Sequence, residues 1–363
     1  SGHRARDTMP SSISRIRTAG ARAGDRNTDR EARSTVPVPL KIAMIALLVP
    51  ITFQLGSLAL TPSKIVFLIL VPILTINLLR GAYGRIVFAD VVLYLFVFWL
   101  AVAMLVNHSP GVAIEYVGSN GIIILGGYLS ARAYIRDLGT FHAFIRFLGL
   151  IIVVSLPFAI HEARTGQALI PRFIEDFTGL ESHTDVMNEF GDIRFGLFRA
   201  QFAFQHPIHF GLFCSTVFSL YFVGMKDQVS DFGRWLMSFL IIVCCFLSVS
   251  SGPMLAILVQ IALIGWFWAL RAIPQRWSIL TALLVVFYAI IEIGSNRFGL
   301  YALVERMSFS PETAFVRKLL FTFGTQQISR TPLFGVGYNP WGLPTWMTGS
   351  LDNFWLMLAI VFG

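Results

Sequence analysis

Two arginines far apart in the chain, Arg199 and Arg317, set the chemical question. A guanidinium is a planar fork of N–H donors, suited to two-point contact with phosphate oxygens. Arg199 stands just ahead of His206-Pro207, where an apolar run begins. Arg317 opens the stretch 315–353, which lies between two apolar runs. That stretch continues through Lys318, a helix-like segment over 318–328, and the turn chemistry Thr331-Pro332 and Gly335-Val336-Gly337. An aromatic loop with Tyr338, Trp341 and Trp346 follows, and Asp352-Asn353 closes it. Cations, glycines and aromatic rings in this position read as half of an anion-binding active site at a membrane surface.

Each of these residues also has a plainer reading. Arg199 suits a lipid headgroup contact with its stem along apolar surface. Arg317 suits a salt bridge to Glu312 or to an acid of an earlier loop. His206 and His209 fit interfacial side chains with satisfied hydrogen bonds. Ser250, in the turn Ser248-Val249-Ser250-Ser251-Gly252-Pro253, either bonds a sugar or phosphate or caps the next helix. Gly335-Val336-Gly337 is a tight turn, or lets backbone approach a ligand closely. Asp352 is a helix cap or a candidate general base. Glu115 is an acid within an apolar run, about one turn from its end, and such acids carry a functional hypothesis.

The elements that must position these residues are set by composition. The chain has 363 residues, of which 55% are hydrophobic and 13% charged, with a mean hydropathy of +0.70. Soluble domains carry about 25% charged residues. This much apolar surface needs a bilayer. The expected fold class is therefore an all-α polytopic membrane protein, with about ten transmembrane helices and two long extracytoplasmic segments. The expected spans are 40–60, 64–79, 91–106, 113–134, 141–160, 207–223, 235–249, 253–270, 277–293, and a last one from Leu351. That last run reaches Gly363 short of the roughly 20 residues needed to cross, and the chain begins at Ser1. More sequence is expected around the piece at hand.

Residues 1–39 are Arg-rich and lack long apolar runs, so they are expected to form a disordered basic tail. Short loops holding Arg80/Arg85, Arg132/Arg136, Lys226/Arg234 and Arg271/Arg276 alternate with turns that hold no Lys or Arg. The positive-inside rule then puts the N-terminus in the cytoplasm. The long segments, about 161–206 and 294–350, fall on the outer face of the bundle 40–363. Cys214, Cys244 and Cys245 lie inside apolar runs and read as small buried hydrophobes. The chain carries no internal repeat, Walker motif, H-E-x-x-H or Cys/His metal spacing. Neither a metal nor a cofactor is expected, and nucleic acid is not an expected partner.

The order of motifs is informative. An outer Arg199 precedes His206-Pro207 and a span. A Ser248-Val249-Ser250 turn joins two spans. Arg317 then leads to Pro332-Leu333-Phe334-Gly335-Val336-Gly337, an aromatic loop, and Asp352-Asn353 entering the next span. Over about 161–363 this resembles the O-antigen ligase and exopolysaccharide polymerase family of bacterial envelope proteins. The resemblance implies a metal-independent, inverting glycosyl transfer at the outer side of the inner membrane. The donor would be a glycan on a polyprenyl diphosphate, and the acceptor a sugar hydroxyl. Arg199 and Arg317 match family arginines that engage the donor diphosphate. Asp352, or else His206, would take the hydroxyl proton. Ser250, Tyr338, Trp341 and Asn353 would contact the glycan. Asp352 in place of a family His, and Ser251 in place of a frequent Arg, look more like a polymerase than a ligase acting on lipid A-core. Export or chain-length proteins would be natural partners. The reading from another class is a transporter or flippase of lipid-linked glycan, which needs cations along a path through the bilayer midplane.

Overall fold

Proline and polar caps decide where this chain starts its helices. The computed structural model of the chain describes residues 35–55, 58–180, 193–294, 311–344 and 353–363. It is helical apart from one two-stranded hairpin. Helix α1 spans Val38–Leu47, and strands β1 (Phe53–Leu55) and β2 (Leu58–Leu60) follow. Then come α2 (Pro62–Leu79), α3 (Phe88–Asn107), α4 (Pro110–Tyr134), α5 (Leu138–Thr165) and α6 (Leu169–Thr178). The remaining helices are α7 (Pro207–Gly224), α8 (Asp231–Leu247), α9 (Ser251–Ala269), α10 (Arg276–Gly294), α11 (Pro311–Arg330) and α12 (Phe354–Phe362).

Thr61 caps α2 by accepting from Lys64 N–H, with Pro62 at the first helical position. Asp137 caps α5 by accepting from Thr140 N–H at 2.8 Å. Pro at a helix start gives up an N–H that would have no helical partner there. Among the described residues, seven helices have the length and apolarity to cross a membrane: α2, α3, α4, α5, α7, α9 and α10.

The structure corrects two expectations. The first expected span, 40–60, is not one helix. Helix α1 has only 10 residues, and the antiparallel hairpin follows, pairing Phe53 with Leu60 and Leu55 with Leu58. Val49 precedes Pro50, a position driven out of the α region, and the β-branched Ile51 and Thr52 come next. The second correction concerns the basic tail. Val36 is already buried, in a cluster with Leu40 and Ala143, so ordered packing begins before residue 39. Residues 1–34 lie outside the described ones.

The helices pack as two groups. Helices α2, α3 and α4 form the first, and α12 packs onto α3 with α11 against it. Helices α5, α7, α8 and α9 form the second and hold the largest core cluster, built around Ile145, Ile152, Phe210, Cys214 and Ile241. Helix α1 contacts α2 and α4 and also touches α5 through Leu40 and Ala143. At the end of the first group where α3 starts, the buried Asp90 receives Tyr128 Oη at 2.6 Å, with the Arg132 guanidinium at 3.4 Å.

Candidate functional site

Arg199 is buried, with 5% of its surface exposed. Its loop is laid across the ends of α5 and α8. Phe198 N–H donates to Ala163 O and Ala200 N–H to Leu247 O, both at 2.9 Å. Phe202 N–H donates to Glu162 Oε2, also at 2.9 Å, and the Gln201 backbone adds a further bond to that carboxylate. Glu162 is 1% exposed. The guanidinium of Arg199 then reaches the α8–α9 turn, where Nη2 donates to Ser250 Oγ at 2.9 Å and Nε faces Ser248 O at 3.5 Å. Ser250 Oγ itself donates to Ser248 O at 3.1 Å.

Backbone strain flanks this contact on both sides. Phe202 has φ of +56° and Val249, a β-branched residue, φ of +44°. Such left-handed conformations cost on the order of 1–3 kcal/mol and persist only where the surroundings over-determine them. The Glu162 and Leu247 contacts supply that constraint here. A buried guanidinium also costs several kcal/mol unless hydrogen-bonded. The fork is thus oriented by the turn before anything binds it.

His206 caps α7, with Nδ1 accepting from Ile208 N–H at 3.1 Å. A neutral imidazole that accepts through Nδ1 carries its proton on Nε2. In this arrangement the ring can donate at Nε2, and taking a proton at Nδ1 would break the cap.

Arg317, Trp341, Tyr338 and Asn353 lie with the first helix group. Arg317 lies on α11, which packs on α12 where Gly324 meets Leu356 and Ile360. The described contacts do not join the two arginines. Asn353 caps α12, with Oδ1 accepting from Leu356 N–H at 3.2 Å. Trp341 packs against the cluster of Val336, Leu356 and Ile360, which gives it a structural contact. Asp352 and Trp346 lie outside the described residues.

The Gly335-Val336-Gly337 turn approaches protein, not an open ligand space. Gly335 and Gly337 have φ of +58° and +61°. A Cβ on Gly335 would strike Val361 backbone, and one on Gly337 would strike the His108 ring. The turn donates Val336 N–H to Ile360 O and Gly337 N–H to Val361 O, both at 2.9 Å. Asn107 Nδ2 holds Phe334 O at 2.8 Å, and Tyr338 N–H donates to His108 Nε2 at 2.7 Å. This docks the aromatic loop on the α3–α4 turn.

Docking there brings Tyr338 to the edge of a cavity of about 470 Å³ between α2 and α4. Tyr338 meets Tyr116 edge-on, with ring centroids 5.1 Å apart. Lys64, Glu115, Ser119 and Asn120 also line the cavity. Burial, and then the neighbouring Tyr116 and Glu115, push the Tyr338 phenol up to about 12.

Several of these residues escaped the sequence reading. Glu162 falls inside the expected outer segment 161–206, yet it lies in the last turn of α5. Its position at the end of an apolar run was the available signal. Lys64, His108 and Asn120 gave none, since each is an isolated polar residue at a helix end or face. Among the described residues, no group of three or more His, Cys, Asp or Glu is placed to hold a metal ion.

By helix length and hydropathy the chain is a multi-pass helical membrane protein. Compared with protein-family models, curated proteins and solved structures, it matches none.

Proposed function

We propose that the protein transfers a glycan from a polyprenyl-diphosphate donor to a sugar hydroxyl, extending a surface polysaccharide. The reaction would run at the outer face of a bacterial inner membrane, with the N-terminus in the cytoplasm. The observation that carries this reading is the buried Arg199, aimed by Ser250 and held by strained backbone at the bundle end assigned to the outer side. Counting alternate crossings, the α3–α4 turn, the end of α5 and the α8–α9 turn share that end.

In the proposed step, the acceptor oxygen attacks the anomeric carbon as the bond from that carbon to the diphosphate oxygen breaks. The electron pair leaves on the diphosphate. Arg199, and Arg317 if α11 brings it to the same phosphates, offset the charge that grows there. A fixed cation at that point lowers the barrier more than it tightens ground-state binding. The hydroxyl proton passes to Asp352. Arg199 lies at the turn joining α8 and α9 and not midway along a helix, which favours transfer over transport of the lipid-linked glycan.

The test uses Arg199→Ala and Arg317→Ala in cells that lack the native copy. The expected outcome is loss of long-chain polymer with the protein still present in the membrane. Normal polymer in both variants removes the proposed anion site. New glycosidic bonds formed by purified protein from polyprenyl-diphosphate glycan support the reaction. Movement of that lipid across vesicles with no new bond overturns it in favour of transport.

A further inference from the structure

The cavity between α2 and α4 has a mixed polar and apolar lining. Its polar groups are an ammonium (Lys64), a carboxylate (Glu115), a hydroxyl (Ser119), an amide (Asn120) and two phenols (Tyr116 and Tyr338). Leu60, Leu68, Val112 and Ile122 supply an apolar floor. Its volume falls within the roughly 300–1,000 Å³ of small-ligand sites, which combine apolar walls with a few placed polar groups.

The polar groups are held in place from behind. Lys64 Nζ donates to Ala59 O at 2.7 Å, so the hairpin strand β2 fixes the ammonium. Asn120 Nδ2 donates to Tyr116 O at 3.1 Å, which leaves Oδ1 as the amide's acceptor. Tyr338 is anchored through its own backbone to His108, so its ring position does not depend on its hydroxyl. Among the described residues no ion pair joins Lys64 to Glu115. A cation and an acid therefore share one cavity without closing on each other.

This composition selects among ligand classes. A phosphate or sulfate is disfavoured by Glu115, and a simple cation by Lys64. A polyhydroxylated ring suits both, because each hydroxyl donates to a carboxylate or amide oxygen and accepts from an ammonium. The faces of Tyr116 and Tyr338 match the apolar C–H face of such a ring. We infer that this cavity is a saccharide subsite, with Glu115, Asn120 and Lys64 binding ring hydroxyls and Tyr338 forming its lid. This rests on the proposed glycan transfer for its place in a reaction: at the same end of the bundle, it would hold the acceptor sugar while Arg199 holds the donor phosphates.

The experiment is binding to the full chain in lipid nanodiscs, with two probes read separately. The first is a panel of neutral methyl glycosides and disaccharides, followed by saturation-transfer NMR. The second is inorganic pyrophosphate, followed by calorimetry. Glu115→Gln is expected to weaken saccharide binding about tenfold to a hundredfold, the size of a hydrogen bond to a charged group, and Asn120→Ala and Tyr338→Ala about twofold to tenfold each, the size of a neutral hydrogen bond or a ring contact. Pyrophosphate binding should stay as in the parent protein, which also reports that each variant is folded. Arg199→Ala should do the reverse. If no glycoside binds the parent protein, or if all three cavity variants bind it unchanged, the inference fails. If Lys64→Met abolishes pyrophosphate binding while Arg199→Ala does not, the cavity is an anion site and the inference fails. Loss of the Arg199 effect alone, with the saccharide results intact, would overturn the donor site and leave the saccharide subsite standing.

Discussion

Replacing Glu162 with alanine should loosen the loop that carries Arg199. In the native structure the Glu162 carboxylate accepts Phe202 N–H at 2.9 Å inside the protein, and Gln201 backbone supports it. Alanine leaves a buried N–H without an acceptor, which costs about 1–3 kcal/mol. Phe202 is held at φ +56°, so the loop also has strain to release once the clamp is gone. The cheapest response is local: the segment around 199–204 swings away, and water reaches the orphaned donors. A shift of about 1–3 kcal/mol changes the open population roughly 5- to 150-fold. Hydrogen exchange read by mass spectrometry on the protein in nanodiscs measures this directly. Amides of 198–204 should exchange faster by that factor, while those of α7 and α8 interiors stay protected. Glu162→Gln keeps one acceptor oxygen and should show a smaller change. Polymer formation should fall in the same order, because Arg199 loses its aim at Ser250. Unchanged protection of 198–204 in Glu162→Ala would refute the claim that this carboxylate holds the loop.

Two further outcomes follow from the same geometry. Gly337→Ala puts a Cβ into the His108 ring at a backbone φ of +61°. It should cost more than about 1 kcal/mol, lower the melting temperature and raise protease cleavage in 331–344; equal melting and cleavage would contradict the docking of that loop. Asp137→Ala removes the cap of α5 and should cost about 1 kcal/mol at neutral pH. Bonds from Thr140, its backbone N–H first, hold the Asp137 carboxyl below its usual range. Its contribution is therefore present above the unfolded value of about 3.9 and is lost as pH falls through the lower folded value. The gap in melting temperature between parent and variant should close in strong acid and stay constant above about pH 5.

Much of the architecture was legible in local sequence. Eight expected spans overlap α2, α3, α4, α5, α7, α8, α9 and α10, because long apolar runs leave the backbone little choice but a helix in lipid. The helix-like 318–328 segment is the core of α11. Where apolar content misled, in 40–60, the run was broken by Pro50, and the break outweighed hydropathy. The amphipathic helix α6 was missed because it sits inside a polar segment, where Phe173 and Phe177 stack four residues apart at 6.2 Å. Among the site residues, Arg199 and Ser250 were both singled out, but not as partners. Tyr338 was expected to meet a glycan and Glu115 stood out as an acid in an apolar run, but nothing in the sequence joined them or pointed to Tyr116 between them.

Sequence alone determined that this chain is a multi-pass helical membrane protein and where most of its helices begin. Those properties depend on residues close together in the chain. Tertiary structure decided which helices are neighbours: Arg199 finds Ser250 across 51 positions, and Tyr338 finds His108 across 230. The physical reason lies in the solvent. In water an apolar stripe marks the buried side of a helix, but in lipid every side is apolar, and association is left to close packing and scattered polar contacts. Those contacts, set by shape at Gly126 against Phe67 and Gly211 against Pro253, leave no periodic trace in the sequence.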